Sequence, residues 1–113
     1  MKAAIFIKPG QMECHDIPKP KIEEPTDALI KVVRASVCGS DMWWYRGITP
    51  YQKGNQEGHE AIGVVEEVGS QVTNVKPGDF VICPFTHGCG HCPACRAGFE
   101  GICENFSYDI KNG

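Results

Sequence analysis

Apolar residues fall in short runs that glycine and proline interrupt, and this pattern predicts a mainly β chain. The stretches with the length and branched apolar content of strands are residues 1–7, 12–17, 28–37, 61–68 and 80–83. Pro77 and Gly78 suit the central positions of a type II turn before the last of these. Ser40 predicts a short helix through Arg46, because its hydroxyl can accept an early backbone N–H.

Residues 87–105 have neither a helix period nor a strand period, although they contain four cysteines. So long an irregular stretch inside a folded domain needs something else to hold it, and a bound metal would do so. The chain ends at Asn112-Gly113, a pair typical of tight hairpin turns, which predicts a further strand and therefore a longer parent protein.

Composition narrows the class of protein. With 113 residues, 42% of them hydrophobic and 22% charged, the chain is expected to be one globular domain. A net charge of −3 disfavours nucleic acid and anionic membranes as partners. No apolar run approaches the ~20 residues that a membrane span needs, so we expect a soluble cytoplasmic protein.

Cysteine is the unusual component, with seven residues, an odd number, and no secretory signal. Metal ligation explains this better than a disulfide framework. One group has the spacing C-x2-C-x2-C-x7-C, which predicts a tetrahedral structural zinc held by Cys89, Cys92, Cys95 and Cys103. The alternatives are an iron–sulfur cluster and a set of buried or oxidised thiols; His91 is interpreted as a spacer.

A second group of polar residues lies at the ends of two predicted strands. Cys38, Ser40 and Asp41 follow the strand at 28–37, and His59 and Glu60 precede the one at 61–68. If these strands are neighbours, a thiolate and an imidazole meet at one end of the sheet. A catalytic zinc uses such ligands when it keeps one position open.

These motifs resemble those of the zinc-dependent medium-chain alcohol dehydrogenases, whose N-terminal catalytic domain is GroES-like. Residues 58–63, followed by Gly69 and Val72, are similar to the family's G-H-E-x2-G-x5-G-x2-V signature. Three further segments resemble, in the family's order, its first metal-ligand segment, its strand-entry turn and its structural zinc lobe: residues 37–41, 75–79 and 89–103.

The resemblance implies a partly open β-barrel with short helices and a zinc-binding lobe at about 87–105. It also implies that Cys38 and His59 bind a catalytic zinc. Glu60 would either bind this zinc directly or lie just behind the residues that bind it. Ser40 would relay the alcohol proton, and Asp41 would orient the His59 imidazole. A helix cap is the alternative role for Ser40 and Asp41.

The reaction that the resemblance implies is hydride transfer between a small alcohol or polyol, or the corresponding carbonyl, and NAD or NADP. No G-x-G-x-x-G follows a strand, so a coenzyme domain and the third protein ligand of the catalytic zinc are expected beyond Gly113. We therefore expect the isolated chain to be inactive, with its four-cysteine site full and its second site partly occupied or empty. The full-length enzyme is expected to be a homo-oligomer, dimer or tetramer.

One departure from the family concerns the aromatic segment 43–45, which stands where many relatives carry a histidine for onward proton transfer. These aromatics could line an apolar substrate pocket or pack in the core. Two other classes of function remain open from the sequence. One is a zinc-stabilised protein-interaction module, and the other is a barrel resembling a co-chaperonin.

Overall fold

The computed structural model describes residues 1–50, 53–54 and 58–105. The chain divides into two compact units, Met1–Cys83 and Pro84–Gly113. Its elements in order are β1 (Lys2–Lys8), β2 (Gln11–Asp16), β3 (Ala28–Ala35), α1 (Asp41–Tyr45), β4 (Ala61–Val68), β5 (Phe80–Cys83), α2 (Pro93–Arg96) and a 3-10 turn (Glu100–Ile102). The prediction of a mainly β chain with short helices is confirmed. Over the described ranges the strands form two antiparallel sheets and no closed barrel.

The first sheet is the hairpin of β1 and β2, whose register runs from Lys2 opposite Asp16 to Lys8 opposite Gln11. Gly10 closes the hairpin with a φ of +78°, which a residue with a Cβ rarely adopts. Ile5 and Phe6 are the buried side chains of this hairpin. The predicted turn at Asn112-Gly113 lies outside the described residues.

The second sheet has the order β3–β4–β5, and its register decides which residues meet. Ala61, at the start of β4, lies opposite Ala35 at the end of β3 and Cys83 at the end of β5. Ser36 N–H donates to the Glu60 carbonyl oxygen at 2.9 Å and extends this pairing beyond the strands. The segments after β3 and before β4 therefore lie at the same end of the sheet.

The turn before β5 forms as predicted. Asp79 N–H donates to the Lys76 carbonyl oxygen at 3.1 Å, and Gly78 has a φ of +95°, as the third residue of a type II turn requires. The Lys76 ammonium contacts the Asp79 carboxylate at 2.8 Å, which lowers the pKa of Asp79. This turn leads the chain into β5 beside β4.

Gly63 is the point of closest approach between β3 and β4. A Cβ at this position would overlap the Lys31 carbonyl and would lie 2.6 Å from Cγ2 of Ile30. We expect Gly63→Ala to lower the free energy of unfolding by about 1–3 kcal/mol, because the strands would have to separate. Urea unfolding followed by circular dichroism measures this. Gly39→Ala, which adds a Cβ with no neighbour within 4 Å, is the matched control; equal losses in both variants would contradict the prediction.

In the second unit, the buried residues among those described are three cysteines, Cys92, Cys95 and Cys103. Cys89 and Ala94 pack against them. Three small side chains bury too little apolar surface to order so irregular a chain, so its folding requires an additional source of stability.

None of the described helices has the length and apolar content that a membrane span requires.

Candidate metal centres

The four predicted cysteines of the second unit converge on one point. Their Sγ atoms all lie within 4.8 Å of one another, and Sγ of Cys92 is 4.0 Å from Sγ of Cys103. Four sulfurs placed 2.3 Å from a common zinc ion would be about 3.8 Å apart. None of the four is in a disulfide. The cluster therefore has the spacing of a tetrahedral site.

Local structure aims backbone N–H groups at these sulfurs. Cys92 N–H donates to Sγ of Cys89 at 3.3 Å, and Cys95 N–H donates to Sγ of Cys92 at 3.4 Å. The second bond also caps α2, where Pro93 occupies the first turn and needs no N–H partner. Cys89 N–H donates to Sγ of Cys103 at 3.4 Å. Donors of this kind stabilise thiolates, which are the form of cysteine that binds zinc.

The electrostatics of the cluster call for a cation. The His91 backbone N–H and the Asn105 amide lower the pKa of Cys89 to about 5. For Cys95, the Gly90 N–H lowers the pKa, but burial and the neighbouring sulfurs outweigh it and raise the pKa to about 12. Adjacent thiolates repel one another, so all four can ionise together only around a positive ion. The residues present fit zinc.

A second cluster lies at the end of the β3–β4–β5 sheet where the segments after β3 and before β4 meet. Ligand atoms of Cys38, His59 and Glu60 lie within 4.8 Å of one another. Cys38 comes three residues after β3, and His59 comes two residues before β4. The strand pairing thus brings together the two segments that the sequence placed at neighbouring strand ends.

Asp41 lies beneath this cluster and is 7% exposed. Its Oδ2 accepts a 2.9 Å hydrogen bond from the Cys38 N–H. Its Oδ1 is buried without a hydrogen bond and lies 3.3 Å from Nδ1 of His59, close enough for an electrostatic contact. One carboxylate therefore contacts both neighbouring segments through Nδ1 of His59 and the Cys38 N–H, while Nε2 of His59 lies near Ser40.

Ser40 does not cap α1 as predicted. It occupies the N-cap position with helical backbone angles, φ −66° and ψ −32°, and its side chain makes no capping hydrogen bond. A capping serine needs extended angles to turn its hydroxyl toward the helix. Instead, Oγ of Ser40 lies 3.4 Å from Nε2 of His59, beside the candidate metal ligands.

The charges of Cys38 and His59 are mutually dependent. Hydrogen bonds from the Ser40 hydroxyl and backbone N–H, and from His59, lower the pKa of Cys38. The contact with Cys38 is the largest cause that raises the pKa of His59, and Asp41 adds to it. The anionic form of Cys38 and the cationic form of His59 therefore favour each other. These side chains, with a buried carboxylate behind them, fit zinc.

The structure adds site residues that sequence reasoning missed. Asn105 Nδ2 donates to Sγ of Cys89 at 3.3 Å, and a Cβ on Gly88 would lie 2.8 Å from Sγ of Cys95. No sequence spacing marks Asn105 or Gly88 as a site residue, because both contacts depend on how the irregular lobe folds. His91 contacts the carbonyl oxygen of Cys89 through Nδ1 at 2.8 Å and lies outside the four-sulfur group, as a spacer would.

Comparison with known proteins identifies the family. Residues 24–113 match the alcohol dehydrogenase GroES-like domain. The zinc-type alcohol dehydrogenase B of Aspergillus flavus is 41% identical over 104 residues, which are 92% of this chain and 24% of that protein. The chain spans about a quarter of the length of the first curated relatives it matches.

Solved structures agree with this match. Alcohol dehydrogenase TADH from Thermus sp. ATN1 superposes with a TM-score of 0.83 at 38% identity, covering 92% of this chain and 30% of that one. CAD from Helicobacter pylori, whose structure is complexed with NADP(H), superposes with a TM-score of 0.71 at 27% identity over 91% of this chain and 30% of its own. The chain therefore belongs to the GroES-like domain family of zinc-type alcohol dehydrogenases.

Proposed function

We propose that this chain is the catalytic, zinc-binding domain of an alcohol dehydrogenase. In the whole protein, hydride passes between a small alcohol or polyol, or the corresponding carbonyl, and NAD or NADP held by a separate coenzyme domain. The observation that carries the proposal is the meeting of Cys38, His59 and Glu60 with Ser40 beside them and Asp41 beneath. A cytoplasmic location is part of this proposal.

Cys38, His59 and Glu60 would hold the catalytic zinc. When bound, such an ion makes an alcohol more acidic and polarises a carbonyl. The negative charge of the Cys38 thiolate and the orientation of His59 by Asp41 set how firmly the ion is held. All three candidate ligands come from one end of one sheet.

Ser40 is placed to handle the proton of the alcohol. Its hydroxyl lies 3.4 Å from Nε2 of His59 and is exposed, so it can accept a hydrogen bond from a substrate oxygen bound beside the same ligands. During oxidation the alcohol loses this proton from oxygen and hydride from carbon, and the C–O bond becomes C=O. Because the aromatic segment 43–45 stands where many relatives carry a histidine for onward proton transfer, we propose that the proton passes from Ser40 directly to water.

The lobe of Cys89, Cys92, Cys95 and Cys103 would have a structural role. Four protein ligands complete a tetrahedral zinc and leave no position for a substrate. Its contribution to function is therefore the folding of the second unit. A homo-oligomeric whole enzyme, a dimer or tetramer, remains part of the proposal.

The experiment that tests the proposal is Ser40→Ala in the whole protein, assayed with a panel of small alcohols and both coenzymes. We expect kcat to fall about 10²-fold, as for loss of a group that transfers a proton, with the zinc content unchanged. Ser70→Ala, an exposed serine just after the far end of β4, is the matched control. If Ser40→Ala keeps the wild-type kcat, or if the wild type oxidises no alcohol with either coenzyme, the proposal is wrong.

A further inference from the structure

Helix α1 is too short to be stable by itself. It has five residues, Asp41–Tyr45, whereas isolated helices below about 12–15 residues are marginal in water. Tertiary contacts at its two ends must therefore hold it. At its N-terminal end, Asp41 contacts the Cys38 N–H at 2.9 Å and Nδ1 of His59 at 3.3 Å.

The C-terminal end of α1 is held by the turn of the β1–β2 hairpin, although the two are 35 residues apart in sequence. Gly10 N–H donates to the Tyr45 carbonyl oxygen at 2.7 Å, and the Tyr45 hydroxyl donates to the Gly10 carbonyl oxygen at 3.1 Å. Gly47, with a φ of +71°, lies so close to Pro9 that a Cβ would be 3.0 Å from the proline Cγ. We call this set of contacts the Tyr45–Gly10 clamp.

The hairpin that carries Gly10 has two buried side chains and is hydrogen-bonded at its open end. Ile5 and Phe6 are 6% and 4% exposed. Across the open end of the hairpin, Ile17 N–H donates to the Met1 carbonyl oxygen at 2.8 Å, and the N-terminal amine donates to the Ile17 carbonyl oxygen at 2.6 Å. A shift of the turn would thus require a shift of the whole hairpin.

We propose that Tyr45 is a positioning residue for the candidate catalytic site. The clamp holds the C-terminal end of α1, and because only five residues separate the two ends, this constraint reaches Asp41 and Ser40 at the other end. Asp41 then holds the Cys38 segment and His59 at their observed separation. The consequence for catalysis rests on the proposed function, whereas the mechanical link from Tyr45 to Cys38 does not.

The link is tested in the 113-residue chain by amide hydrogen exchange, measured by NMR. In Tyr45→Phe, which loses only the hydroxyl, we expect the Cys38 amide to exchange about fivefold faster, since loss of one hydrogen bond loosens the helix end. Tyr45→Ala should increase this exchange further. The Val65 amide, which donates to the Asp79 carbonyl oxygen at 2.9 Å in the other sheet, should be unchanged.

Ile5→Val is the matched control, because it destabilises the same hairpin through its buried core without altering the clamp. In Ile5→Val, the hydrogen-exchange rate of the Cys38 amide, compared with the rates of adjacent amides, should equal that of the wild type. The proposal is overturned if Tyr45→Phe speeds exchange at Gly10 but not at Cys38, or if it speeds Cys38 and Val65 equally.

A cobalt titration of the whole protein, which supplies any ligand that lies beyond Gly113, separates this proposal from the proposed function. Co²⁺ bound by Cys38 and His59 has an absorption spectrum distinct from that of four thiolates, so the cysteine lobe serves as an internal reference. We expect Tyr45→Phe to weaken Co²⁺ binding at the Cys38–His59 site about fivefold and to leave the lobe spectrum unchanged. If the wild type shows only the four-thiolate spectrum, the proposed catalytic site fails, while the exchange at Cys38 still decides the role of Tyr45.

Discussion

Removal of zinc is expected to unfold the cysteine lobe and to leave the two β-sheets folded. The lobe has three buried cysteines as its core over the described residues, so it has little apolar burial to replace the metal. Zinc binding contributes about 10–16 kcal/mol in small zinc-folded peptides, far more than such a core can supply. The Met1–Cys83 unit has its own buried residues, including Ile5, Phe6 and Val65, and does not depend on the lobe cysteines for them.

The measurement is a chelator titration followed by NMR, with amide signals of residues 84–105 read separately from those of the sheets. Cys95→Ser should unfold the lobe without chelator. Its zinc affinity should fall by more than about 100-fold, because loss of a residue that only hydrogen-bonds a metal ligand already lowers affinity by up to about 100-fold. Cys14→Ser, at an exposed cysteine of β2, is the control and should bind zinc normally. Retention of lobe structure after full removal of metal would show that the lobe folds without zinc.

Replacement of His59 should abolish activity of the whole enzyme. His59→Ala removes one proposed metal ligand and leaves the buried Asp41 Oδ1 without its contact at 3.3 Å. Loss of the metal's stabilisation of transition-state charge, several kcal/mol, corresponds to about a 10⁴-fold loss of kcat/KM. Zinc analysis should show one ion fewer at the sheet end, while the four-cysteine signal of a cobalt-substituted sample stays unchanged.

His15→Ala provides the control for the His59 experiment. His15 lies on β2, where its Nε2 contacts the Glu13 carboxylate at 2.8 Å, and it is outside both clusters. Its loss should leave activity within about twofold, as for most surface substitutions. If His59→Ala is equally active, the chain is better explained as a zinc-stabilised interaction module. Light scattering that finds a ring of seven copies would instead favour the co-chaperonin-like barrel.

The strands were predictable because their signals are local. Residues 61–68 and 80–83 form strands with the predicted bounds, since branched apolar residues lie between turn residues there. The Ser40 cap was wrong because capping depends on the backbone angles at one residue, which residue preference does not determine. No hydrophobic period in the sequence predicts the short helix α2 or the 3-10 turn inside the lobe. Both lie between cysteines of the four-sulfur cluster, and the position of those cysteines decides their conformation.

The sequence by itself determined the candidate ligands. Cysteine spacing in the lobe, and polar residues at two strand ends, are visible without coordinates because a ligand must be a cysteine, histidine or carboxylate at a workable spacing. Only the tertiary structure decided how they are supported. Antiparallel pairing of β3 with β4 joins Cys38 to His59, and contacts across 35 residues join Tyr45 to Gly10. Such contacts depend on chain registers and turn positions that no local pattern encodes, so they become visible only once the chain is folded.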